Sequence, residues 1–159
     1  MQILNAIRLT YYLTDQALAR TVRKIDNIEI RLQLLESLLS GMEREEMQGR
    51  VGAPVFESLI SLYGSLGRFE KASQVYDKIR GETDVSCLRA ILVACGVASP
   101  PRFEEAITYI HSSDVVVGSN GSGVDQVSLG NAIIACSKAN EFEQALNLLQ
   151  LYGNDAPPG

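Results

Sequence analysis

The sequence predicts an all-α fold, a right-handed α-α superhelix of about three helix-turn-helix repeats preceded by N-terminal helices. Two observations carry this. One signature occurs three times, as Arg68-Phe69-Glu70-Lys71-Ala72, Arg102-Phe103-Glu104-Glu105-Ala106 and Glu141-Phe142-Glu143-Gln144-Ala145, each between two apolar helical segments. The segments before it also superpose once two extra residues are allowed in the middle copy. Phe56, Leu88 and Leu129 fall together, then Ile60, Leu92 and Ile133, then Tyr63, Cys95 and Cys136. Spacings of three and four put these positions on one helix face. A unit this short cannot bury its apolar face alone, so neighbours must stack into a solenoid.

Residues 1–53 differ from the repeats and read as N-terminal helices, a degenerate repeat or a cap. A helix over about Gln2 to Leu13 is followed by a cap at Thr14 or Asp15. A long helix then carries Ile25, Ile28, Leu32, Leu35, Leu39 and Met42 at heptad-like spacing, with Ile30, Leu34 and Leu38 on another side. Two heptads are too few for an independent coiled coil, so this helix is expected against more than one neighbour. Gly49 to Pro54 closes it. Asn5-Ala6-Ile7 faintly echoes Asn131-Ala132-Ile133.

The repeats follow at about 54–85, 86–126 and 127–152, within a repeat region 54–152, with a tail at 153–159. Val75-Tyr76, Tyr109-Ile110 and Leu148-Leu149 supply the apolar pairs of the second helices, and Ala72, Ala106 and Ala145 let helices approach closely. Gly67 turns the chain in the first copy, Ser99-Pro100-Pro101 in the second and Asn140 in the third. Residues 112–126, with Gly118-Ser119-Asn120-Gly121-Ser122-Gly123, read as an inserted surface loop. The phosphate-binding loop pattern is missing, because neither Lys-Ser nor Lys-Thr follows the glycines and no strand clearly precedes them.

Composition narrows the function. At 46% hydrophobic and 21% charged, the 159 residues are ordinary for one globular domain. No apolar run approaches the roughly 18 to 20 residues of a bilayer crossing. Met1 to Thr14 lacks both the Arg and Ser density of a transit peptide and the apolar core of a secretory signal, and so reads as mature sequence. Three cysteines, none in a C-x-x-C pair, argue against a disulfide framework, and Cys95 and Cys136 read as small core residues. A single histidine, His111, leaves no transition-metal cluster, so no metal or cofactor is expected. Without a Ser, His and acid arrangement or a suitable carboxylate pair, an enzyme has little support.

The strings Phe56-Glu57-Ser58-Leu59-Ile60-Ser61-Leu62-Tyr63-Gly64-Ser65-Leu66-Gly67-Arg68-Phe69-Glu70-Lys71-Ala72 and Asn131-Ala132-Ile133-Ile134-Ala135-Cys136-Ser137-Lys138-Ala139-Asn140 resemble pentatricopeptide repeats, over about residues 54 to 152. Tetratricopeptide repeats are the near rival. They usually add a second small residue and a closing proline, which do not follow Ala72 or Ala145. The resemblance implies a mitochondrial or plastid protein that reads single-stranded RNA one base per repeat. It implies base-facing roles for Ser58, Ala90 and Asn131, flanked by Val55, Cys87 and Ser128, with Val85 and Gln126 as repeat-end partners. Ala90 and Val85 have no side-chain hydrogen-bonding group, so that code is broken in two of three repeats.

Charge argues further against RNA. From Pro54 onward there are seven Lys plus Arg against twelve Asp plus Glu, which accounts for the whole net charge of -5. Nucleic-acid affinity requires phosphate neutralisation, and only Arg68, Arg89 and Lys138 stand out as sources of a local positive groove. The preferred reading is therefore a non-catalytic scaffold that docks other protein subunits in a larger organellar assembly. Its candidate interface residues are Ile28, Leu32, Leu35 and Leu39 on the long helix, and Leu148 and Leu151 on the last. The alternative is a single-stranded RNA-binding protein of organellar RNA metabolism or translation.

Overall fold

A computed structural model describes residues 20–44, 53–79, 85–113 and 125–153. These are helical with no strand among them. Residues 20–23 are helical, followed by α1 (Ile28–Arg44), α2 (Ala53–Ser65), α3 (Phe69–Asp77), α4 (Val85–Val97), α5 (Phe103–Ser112), α6 (Gln126–Lys138) and α7 (Phe142–Tyr152). The expected helix at Gln2 to Leu13, its cap at Thr14 or Asp15, the glycine-rich run and most of the tail lie outside the described residues.

The three turns show why the same sequence signature recurs. Arg68, Arg102 and Glu141, each just before a second helix, have φ of -98°, -95° and -92° with ψ of 60°, 66° and 65°. Their backbone N–H groups donate to the carbonyls of Tyr63, Cys95 and Cys136, each at 2.9 Å. Those acceptors are the residues that superpose in the sequence, so each turn ties its second helix to the same place on its first. Gly67 (φ 71°) and Asn140 (φ 61°) take the left-handed conformation between helices, which glycine and asparagine adopt most readily. The middle turn reaches the same bond through Ser99-Pro100-Pro101, with a cis Ser99-Pro100 peptide.

First helices stack on first helices, α2 on α4 and α4 on α6; each second helix packs on its own first helix, and α3 and α5 also pack on the next first helix along. The core lies between these two layers. Leu59, Ile60, Leu88, Ile91, Leu92 and Leu129 are fully buried there, each contributing on the order of 1.5–3 kcal/mol through removal from water. Cys87, Cys95 and Cys136 are buried and unbridged, as small core residues. Close approach shows at Gly64, where a Cβ would lie 2.8 Å from the Ala94 Cβ.

Helix α1 packs on α2 as α3 packs on α4 and α5 on α6. Asn27 caps it, its Oδ1 accepting from the Ile30 N–H at 3.1 Å. Tyr63 of α2 donates its hydroxyl to Glu36 of α1. Burial first, and then this bond to a carboxylate, push the Tyr63 phenol above its ordinary pKa. The face α1 turns inward corrects the predicted interface. Leu32, Leu35 and Leu38 are buried against α2, Leu39 is half-buried on the same core, and Ile28 and Ile30 are the exposed apolar residues. At the other end Leu148 is buried beneath α7, so only Leu151 of that predicted pair is exposed. Leucines at three- and four-residue spacing satisfied the internal seam rather than leaving a face for a partner.

Candidate functional site

The open face of the first-helix layer forms a groove of about 550 Å³ across α2, α4 and α6. Its position follows from helical periodicity. With Ile60, Leu92 and Ile133 turned inward, residues on the opposite side of the helix must point out. These are Glu57 and Ser61 on α2, Arg89 and Val93 on α4, and Asn131 with Val127 on α6. Ile134 holds on α6 the place that Ser61 and Val93 hold on their helices. The groove is consequently polar at its first repeat and apolar along the second and third, where Val93, Val97 and Val127 are each about half exposed, with the half-exposed Ile134 outside its lining.

Two arginines along this face, Arg89 and Arg23, are held by carboxylates. Arg89 donates through Nε to Asp125 Oδ2 at 2.9 Å and through Nη2 to Oδ1 at 2.5 Å. Asp125 is also the N-cap of α6, accepting from the Ser128 N–H at 3.0 Å and from its hydroxyl at 2.5 Å. The Arg89 bonds, and then those from Ser128, hold the Asp125 carboxyl well below the usual carboxylate range, against a smaller opposing effect of burial. The same pair raises the Arg89 pKa. At the groove's other end Arg23 Nη2 lies 3.1 Å from Glu57 Oε2. Lys138 and Arg68 are exposed.

The residues assigned to RNA separate on this geometry. Val55 is 1% exposed and packed in the core, as are the equivalent Cys87 and Ser128. It therefore cannot pack on a base, because its place one turn before Leu59 belongs to the inward face. Ser58 is also buried, donating its hydroxyl to the Pro54 carbonyl at 2.7 Å and accepting from Arg23 Nε at 3.0 Å. Ala90 and Asn131 line the groove and are half-buried. Val85 is half-buried and Gln126 exposed. Asp125, Arg23 and Glu57 were missed in the sequence reading. Only Asp125 had a local signal, an Asp three residues before a Ser at a helix start. Its partner Arg89 is 36 residues away.

Residues 55–82 match the family model of the PPR repeat. That span takes in nearly all of α2 and the whole of α3, so the pentatricopeptide repeat coincides with the first helical pair. Curated proteins show no match to the chain. Pentatricopeptide repeats are in general binding units rather than catalysts. No described helix is long and apolar enough to cross a membrane.

Proposed function

We propose that this chain is a non-catalytic helical-repeat scaffold that binds a protein segment along the first-helix groove, as a subunit of a larger organellar assembly. One observation carries the reading: the groove is apolar along Val93, Val97 and Val127, while Arg89 and Arg23 beside it are paired with Asp125 and Glu57. A phosphate backbone needs free cations, whereas an apolar peptide face gains from burying those valines. The organellar placement, in a mitochondrion or plastid, rests on the pentatricopeptide match.

The test is selection of a displayed peptide library on the purified chain, with a Val93→Glu variant counter-screened. An apolar consensus that binds the parent and not the variant is expected. The RNA reading keeps one specific support, Asn131 in the groove of a chain that carries a pentatricopeptide repeat. Binding to a random single-stranded RNA pool that falls steeply with salt and survives Val93→Glu would replace the scaffold by that reading.

A further inference from the structure

Independently of the groove, the end of the array at α7 presents a second surface, and the repeats show what fits it. Position by position, Phe69, Ser73 and Tyr76 of α3 match Phe103, Ile107 and Ile110 of α5 and Phe142, Leu146 and Leu149 of α7. In the first two repeats Phe69, Tyr76 and Ile110 are buried and Ser73, Phe103 and Ile107 half-buried. Phe69 is 6% exposed beneath the Arg102 guanidinium, whose carbon lies 5.3 Å from the ring centroid. Tyr76 is 7% exposed and edge-on to Tyr109, centroids 5.0 Å apart, and Ile110 is 0% exposed. On α7 the same places are bare: Phe142 is 65% exposed, Leu146 53% and Leu149 50%. They share one face at i, i+4 and i+7, and Leu151 points to the opposite side.

The junction between the first two repeats also has an ionic half. Arg102 Nη2 donates to Glu70 while its guanidinium covers Phe69. On α7 the equivalent pair is Glu143 beside Phe142, both exposed. No Lys or Arg occurs between Glu141 and Gly153, so α7 offers apolar surface and negative charge together.

We infer that α7 is a docking site for an α-helical hairpin of a partner chain, which lays its apolar face on Leu146 and Leu149 and brings an arginine to Glu143 and the Phe142 ring. This continues the apolar contact formed at both junctions within the chain and the ionic contact formed at the first.

The probe is a fluorescent peptide spanning Val85–Ser113, the hairpin that makes this junction in cis, titrated into the full chain by anisotropy. Saturable binding is expected. Leu149→Glu should weaken it at least tenfold with far-UV helicity retained, and Leu151→Glu should leave it unchanged. Glu143→Arg should weaken it several-fold and recover when the peptide carries Arg102→Glu. Absent saturation, or equal binding by Leu149→Glu, overturns the inference. So does a dimer of the full chain in sedimentation that Leu149→Glu dissolves, since a second copy would then be the occupant.

Discussion

Replacing Asp125 with alanine removes one side chain that performs two tasks, capping α6 and holding Arg89. The cap alone is worth about 0.5–2 kcal/mol. Ser128 is fully buried, and its N–H and hydroxyl both donate to Asp125. Leaving such donors without an acceptor costs a further ~1 kcal/mol or more. The Arg89 pair is half exposed and adds little beyond this. Together these predict a loss of roughly 2–3 kcal/mol, which for a chain of this size lowers Tm by roughly 5–10 °C. Thermal unfolding followed by circular dichroism measures it. Asp125→Asn, which keeps an acceptor for Ser128, should lose less. The pH dependence has a fixed sign. The folded-state carboxyl titrates below its unfolded value of about 3.9, so its stabilisation is complete above that pH and is lost as pH falls towards the folded value. The gap in Tm between parent and Asp125→Ala should therefore be widest above about pH 5 and narrow below about pH 4. A Tm within 1–2 °C of the parent at neutral pH, on the scale set by protein size, would refute the assignment of Asp125 as the tether between repeats.

Gly64 and Gly96 hold equivalent positions, yet a Cβ at Gly64 meets the Ala94 Cβ at 2.8 Å whereas one at Gly96 finds its nearest atom, Ile134 Cγ2, at 3.7 Å. Urea unfolding should show Gly64→Ala destabilised by about 1–3 kcal/mol and Gly96→Ala unchanged or stabilised by up to ~1 kcal/mol through helix propensity. Gly67→Ala, at φ 71°, should cost about 1–2 kcal/mol, and Asn140→Gly at φ 61° should be neutral or slightly stabilising in the same assay. Burial, aided by Glu105, pushes the Cys95 thiol up to about 12, and Cys87 and Cys136 are equally enclosed. Iodoacetamide at pH 8 should leave all three unmodified in the native chain and alkylate them after unfolding; rapid native labelling would contradict the packing.

What the sequence disclosed was whatever depends on local periodicity. Phe56, Leu88 and Leu129, with Val75-Tyr76, Tyr109-Ile110 and Leu148 after the shared alanines, are inward positions set by 3.6-residue geometry. The turn residues Gly67 and Asn140 betray their backbone conformation by type alone. The groove was less legible, for two reasons. A base-facing residue was placed at Val55, and a shift of two residues around a helix moves a side chain by about half a turn, from core to surface. The ion pairs that neutralise the groove join residues more than thirty apart, so composition could show net acidity but not which arginines were already taken. Leu32, Leu35 and Leu148 were read as surface for the same reason. An apolar stripe announces that a helix is covered, and tertiary packing alone says whether its own chain covers it.

The near-contact of Gly64 with Ala94 has a geometric consequence besides its effect on stability. At the equivalent place in successive first helices stand Gly64, Gly96 and Ser137, and the bulk allowed there governs how tightly α2, α4 and α6 lean together on one side of the stack. Curvature in a solenoid accumulates from such small rotations between units. A single atom added or removed at this register would thus propagate into the pitch of the whole superhelix and the width of its groove, so the shape presented to a ligand is encoded as much by what is absent at Gly64 as by the side chains that line the surface.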